Sequence, residues 1–150
     1  MNPQGDIQLL QLKHIGNMVF QNKSFCHIDE DFFNEHGCSE IRENYLLISR
    51  LVATSMVCCL MPKTDTKTIT SVDVCWIAPD ETYNSKYLMY YLTSKGFQNR
   101  VLMLCSGSTR KRISKKNLIH IPIFIHDRAQ QDIIVKQIEN LFDLVEKVIG

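Results

Sequence analysis

The run TITSVDVCWIAPDETYNSKYLMYYL, residues 68–92, decides the fold class because its hydrophobic period changes midway. From Thr68 to Ile77 the apolar Ile69, Val72, Val74 and Trp76 are interleaved with polar neighbours, the pattern of a half-buried strand, and Pro79 closes it. Beyond Pro79, Tyr87, Leu88, Tyr91 and Leu92 recur at three- and four-residue spacing behind Asn84 or Ser85, either of which can cap a helix. A strand period followed by a helix period predicts a mixed domain.

The same contrast extends in both directions. Upstream, Ile7 to Ile15 and Met18 to Gln21 read as two strands around a Gly16-Asn17 turn. Asp29 to His36 reads as a short helix with Ile28, Phe32 and Phe33 on one face and Gly37 as its stop. Tyr45 to Arg50 and Thr54 to Leu60 are further strand candidates, and Lys63 to Thr70 reads as a turn or exposed hairpin loop. Downstream, Gly96 interrupts the helix and Phe97 to Leu104 resumes it. Cys105-Ser-Gly-Ser-Thr-Arg-Lys-Arg112 is a loop rich in hydrogen-bond donors, Ser114 caps one turn through Leu118, and Pro122 confines Ile119 to Ile125 to a sheet edge or bulge. Asp127 caps a last helix in which Ile134, Ile138, Leu141, Val145 and Val148 follow at spacings of 4, 3, 4 and 3, with Ile133, Leu144 and Ile149 widening the stripe. Such a stripe either packs on its own domain or meets, in part, another long helix.

A chain of 150 residues and 17.4 kDa makes one domain of ordinary size. Hydrophobic content of 45% with 22% charge excludes a disordered tail or a fibre. Apolar runs such as Ser55 to Met61 are far below the roughly 18 residues of a membrane span. The opening Met1 to Asp6 shows no basic region leading into an apolar one, so no signal peptide and a cytoplasmic location are expected. Cys58, Cys59, Cys75 and Cys105 lie in apolar runs, the setting of reduced core thiols. Cys26, His27, His36 and Cys38 are spaced unlike a common zinc module, and no metal is expected there.

The net charge of +1 hides an asymmetry. Residues 1–81 carry six basic and eleven acidic side chains, and residues 127–150 carry three and five. Residues 82–126 carry eight basic side chains and no acidic one: Lys86, Lys95, Arg100, Arg110, Lys111, Arg112, Lys115 and Lys116. The expected consequence is one positive face on a nearly neutral protein, suited to a polyanion. No catalytic constellation competes with this reading. The sequence has no Walker-type phosphate loop and no Gly-x-Ser-x-Gly elbow, and no carboxylate follows Glu81 until Asp127 to complete a nuclease cluster with Asp80. The Ser106–Thr109 loop lacks the strand–loop–helix setting of a nucleotide site.

Ile77-Ala-Pro79, the Tyr87-Leu-Met-Tyr-Tyr-Leu92 helix, the Gly107-Ser108-Thr109-Arg110 loop, Ile113, Leu118, Ile121-Pro122-Ile123 and Gln130-Gln131-Asp132-Ile133 follow one another in an order that resembles the DNA specificity (S) subunit of type I restriction–modification enzymes. The match departs where that family has a proline pair before Glu-Gln; here the residues are Ile125-His126-Asp127 and Gln130. The resemblance implies an α+β target recognition domain, a twisted, mostly antiparallel sheet with helices, over residues 1–126. By the same resemblance that domain is expected to be N-terminally incomplete and to be followed by a conserved coiled-coil-type helix over 127–150. It also implies sequence-specific binding of duplex DNA without catalysis or cofactor, alongside methyltransferase (modification) and translocase/nuclease (restriction) subunits that hold the S-adenosylmethionine, ATP and magnesium.

In that reading Arg110 and Arg112 are of the type that grips guanine in two-point contact, and Lys115 and Lys116 suit phosphate. Ser108, Thr109, Lys111, Lys95 and Arg100 complete the expected DNA-binding set. Ile134, Ile138, Leu141, Val145 and Val148 form the expected partner face, toward a second copy or a second recognition domain. Two alternatives stand beside it: a dimerisation module that holds no DNA, and the detached recognition domain of a fused DNA methyltransferase.

Overall fold

The β-rich run after Tyr45 forms the strand around which the rest is arranged. The computed structural model describes residues 5–150; Met1 to Gln4, part of the stretch read as lacking a signal peptide, lie outside them. In chain order the strands are β1 (Ile7–Leu10), β2 (Cys26–Ile28), β3 (Leu46–Ser49), β4 (Leu51–Val52), β5 (Cys58–Leu60), β6 (Thr68–Thr70), β7 (Val74–Ile77) and β8 (Lys111–Arg112). The helices are α1 (Glu30–Glu35), α2 (Ser85–Thr93), α3 (Lys95–Met103), α4 (Lys115–Ile119) and α5 (Arg128–Ile149).

All four residues of β3 are buried, which is why Leu46-Leu-Ile-Ser49 is not an alternating sequence. The strand lies between β5 and β7 and is antiparallel to both. Leu46 and Ile48 join a core with Cys58, Leu88, Leu92 and Phe97, so α2 and α3 cover that face. Leu47 points the other way, into a second core with Leu10, Ile15, Ile41 and Met61. A second small sheet has the order β2-β1-β6, and β1–β6 is its parallel pair. A third pairs β4 with β8. Small, mostly antiparallel sheets with helices make this an α+β fold, as expected. No helix of the described residues is long and apolar enough to cross a membrane.

Several element boundaries differ from the sequence reading, each for a physical reason. The hairpin expected between Ile7 and Gln21 is reduced to the single bridge Ile15–Phe20. The edges of β1 are taken by β2 and β6, and the next residues, Leu12–His14, form a 3-10 turn in which the His14 ring accepts a hydrogen bond from the Gln11 amide at 2.9 Å. The Thr68–Ile77 run is two strands in two different sheets. Ser71 donates to the Leu10 carbonyl, the chain turns, and Val72 is 81% exposed. Only the last three residues of Thr54–Leu60 are a strand. The helix break falls at Ser94, extended at ψ 146°, whose hydroxyl caps α3, while Gly96 lies inside the new first turn. The Ile119–Ile125 run enters no sheet of the described residues. Pro122 has no N–H to give, and its carbonyl accepts from Arg100 at 2.5 Å, while the Phe124 amide donates to the Tyr91 hydroxyl.

Two buried glutamines join what apolar packing alone leaves unregistered. Gln98 accepts from the Met56 amide at 2.7 Å and donates to the Met56 and Leu92 carbonyls at 2.9 and 2.7 Å. Gln131, fully buried, accepts from the Asn84 amide at 2.8 Å and donates to the Thr82 and His126 carbonyls. The six cysteines are free; burial pushes the Cys58 thiol up to about 12 and the Cys59 thiol up to about 11.

Each buried polar group left without a partner costs about 1–3 kcal/mol. Gln98→Leu keeps the volume but orphans the Met56 amide and two carbonyls. Denaturant unfolding of this variant should show a loss of at least about 2 kcal/mol with an unchanged slope.

Candidate functional site

Ile113 is 0% exposed, although the residues on either side of it are exposed and polar. Its amide donates to the Arg50 carbonyl at 3.0 Å, and its carbonyl accepts from Arg50 Nε at 3.2 Å. Together with the β4–β8 pairing, this peg fixes the donor-rich loop to the end of β3. The loop itself is closed by two reciprocal hydrogen bonds between Ser106 and Arg112, at 3.0 and 2.9 Å. Gly107 turns it at φ +99°, where an added Cβ would sit 2.6 Å from the Arg110 carbonyl oxygen. On the far side of the peg, the Ser114 hydroxyl accepts from the Asn117 amide and starts α4, whose first two residues are Lys115 and Lys116.

This arrangement sorts the expected DNA-binding residues. Ser108, Thr109, Arg110, Lys111, Lys115 and Lys116 are exposed on the loop and the turn that follows it. Among the described residues, Arg110, Lys111, Lys115 and Lys116 make no ion pair. The other cations of the acid-free stretch are differently placed. Arg112 is ion-paired with Asp73. Arg100 reaches the Pro122 carbonyl and the Tyr91 hydroxyl and lies over the Phe97 ring. Lys86 pairs with Glu139 on α5, and that hydrogen bond holds its ammonium above the usual lysine range. Lys95 is exposed at the start of α3, a helix length of about 13 Å from the loop at its other end. The single positive face expected from the charge count is thus a group of four unpaired cations on one anchored hairpin and turn.

Two residues that the sequence reading passed over shape this group. Arg50, half-buried, binds the Ile113 and Val72 carbonyls at once, bracing the loop against the β6–β7 turn. Asp73 holds Arg112 from the same turn. Neither carries a local signal, because their partners lie 63 and 39 positions away along the chain.

The partner stripe divides as well. Gln131 and Val135 are buried, Ile134 and Ile138 are half-buried, and the Phe142 ring lies 6.0 Å from that of Tyr90. Leu141, Val145 and Val148 are 61%, 51% and 86% exposed. A nine-residue α2 of about 13 Å cannot cover a 22-residue α5 of about 33 Å, so the far half of the stripe has no cover among the described residues.

Among the described residues no group of three or more His, Cys, Asp or Glu side chains is arranged to hold a metal ion. Against known proteins, the family model described as the type I restriction modification DNA specificity domain matches residues 2–149. No curated protein matches the chain.

Arg50→Gln removes the guanidinium contacts to Ile113 and Val72 but leaves the backbone ladder. Hydrogen exchange at the Arg112 and Ile113 amides should then rise about tenfold, while amides in β3 and α2 keep their protection. Equal acceleration everywhere would mean that Arg50 stabilises the whole fold and not the loop.

Proposed function

We infer, because this chain belongs to the type I restriction modification DNA specificity domain family, that it reads duplex DNA as the non-catalytic specificity component of such a system. Methyltransferase and translocase/nuclease subunits then carry the chemistry and its cofactors. The observation that carries the reading is the set of four cations, without an ion pair among the described residues, on a hairpin and turn locked to the core by Ile113. Affinity for DNA comes largely from cations against phosphates, and discrimination from a few donors held at fixed positions against base edges. An anchored loop meets the second need as well as the first.

Within that reading Arg110, at the hairpin turn with no carboxylate partner among the described residues, is the base reader. Lys111, Lys115 and Lys116 are phosphate contacts, and Ser108 and Thr109 donate to the backbone beside them. Arg112 braces the loop through Asp73, Arg100 supports the Pro122 segment, and Lys95 adds a peripheral phosphate contact. Residues 1–126 act as the recognition unit. The helix over 127–150 makes the link to a second recognition domain or a second copy, through the exposed Leu141, Val145 and Val148 and the edges of Ile134 and Ile138. That exposed face also supports assembly through α5 on its own account.

Four phosphate contacts give a log–log salt slope of roughly −3 to −4, readable in a filter-binding titration. Lys115→Ala and Lys116→Ala should each reduce the slope by about one and weaken all sequences alike. Arg110→Ala should instead relax preference at one base pair, by about 1–3 kcal/mol. Salt-insensitive binding, or equal effects of all three variants on specific and random DNA, would remove the loop from the reading.

Leu141→Glu puts a charge on the exposed stripe, where it costs the monomer little. Sedimentation equilibrium should show weak self-association of the wild type and a folded monomer for the variant. A wild type that stays monomeric at high concentration would leave the stripe to a different chain.

A further inference from the structure

Among the described residues, no strand pairs with the edge of β7 that faces away from β3. Strand pairing fixes which backbone groups point there. The Arg50 amide donates to the Asp73 carbonyl at 2.9 Å, so alternation turns Cys75 and Ile77 toward β3 and Val74 and Trp76 away from it. The Val74 amide is used in the turn, bonded to the Ser71 carbonyl. The Trp76 N–H and carbonyl and the Val74 carbonyl have no backbone partner among the described residues. Edge strands are commonly blunted by lysine, proline or an inward charge. Val74-Cys-Trp-Ile77 has none of these.

A groove of about 770 Å³ lies beside β7 and reaches under it to Ile48, Leu92 and Phe97 on the helix-covered face of the sheet. One wall is the β6–β7 turn and β7 itself, and the other is α4 and the segment after it, including Leu118, Ile119, Ile121 and Ile123. Arg50 and Lys115 are the charged side chains in its lining, and no carboxylate lines it. The Cys75 thiol on the same wall is raised by burial, against the opposing pull of Arg50, Lys115 and Arg112.

We propose that this groove takes an extended, acidic peptide segment of a partner protein, added as a strand to the open edge of β7. Three features of the site select that occupant. The free Trp76 N–H and carbonyl offer a strand its ladder bonds. Ile119, Ile121 and Ile123 give alternate side chains an apolar wall, and Lys115, beside the charge of the already hydrogen-bonded Arg50, selects carboxylates. The four residues of β7 present roughly 13 Å of edge, enough for a segment of four or five residues. A second copy of this chain is a poor fit, because its own β-rich segment Ile119–Ile125 carries no acid and is interrupted by Pro122. The proposal does not depend on DNA reading, and its peptide arms contain no DNA.

The test uses the full chain and a capped heptapeptide alternating glutamate and valine. Two controls accompany it: the same peptide with N-methylated valines, and its lysine–valine counterpart. Trp76 is the sole tryptophan, so its fluorescence reports binding, and its backbone amide reports the ladder. The glutamate–valine peptide should slow exchange of the Trp76 amide about tenfold or more at saturation. N-methylation and Lys115→Glu should each weaken binding about tenfold. Absence of Trp76 protection at millimolar peptide, equal binding of the N-methylated peptide, or equal binding of the lysine–valine peptide would overturn the proposal. Protection of the same amide by random duplex DNA alone would overturn it too, and would assign the groove to DNA.

Discussion

The junction between Arg50 and Ile113 is the constraint on which both surfaces of interest depend. Two residues 63 positions apart share a backbone bond and a guanidinium–carbonyl bond, and Ile113 is sealed from water beneath them. On one side of this peg stands the cationic hairpin; on the other stands α4, which supplies Lys115 to the groove along β7. A hairpin of small and charged residues has no apolar content of its own with which to order itself. Its order is borrowed from Ile113, which explains why one buried aliphatic side chain sits in the middle of a polar stretch.

The helices are placed by a different device. Apolar stripes tolerate sliding and rotation, whereas a side-chain amide with three partners does not. Gln98 fixes α3 against the loop after β4, and Gln131 fixes the first turns of α5 against the entrance of α2. The ion pair Lys86–Glu139 and the Tyr90–Phe142 contact continue this second attachment for another two turns. Beyond Phe142 the helix extends past anything among the described residues that could cover it, and its apolar side chains are exposed. One helix is therefore anchor over its first half and free surface over its second.

The family match and the cation geometry bear on different questions. Membership of the specificity-domain family covers nearly the whole chain and gives the class of function. The geometry reduces eight cations to four without an ion pair on the anchored hairpin and turn, because Arg112, Arg100 and Lys86 have partners among the described residues and Lys95 stands at the far end of α3.

Local patterning determined much of this protein. The caps at Asn84, Ser114 and Asp127, the helix stripes they open, the short helix behind Asp29 and the acid-free stretch are all properties of neighbouring residues, and the sequence displays them. So, through the order of its motifs, is the family. Strand partnership was not local. Thr68–Ile77 reads as one strand, yet it serves two sheets because Ser71 is claimed by Leu10. Ile119–Ile125 reads as a strand and has no strand partner among the described residues, while Lys111–Arg112, read as loop, pairs with Leu51–Val52. Which cations remain available was equally non-local, since Asp73, Glu139 and Tyr91 reach them only once the chain is folded. A periodic pattern reports which face of an element is apolar, but the partner that satisfies an edge or a charge is chosen by tertiary contacts between distant parts of the chain.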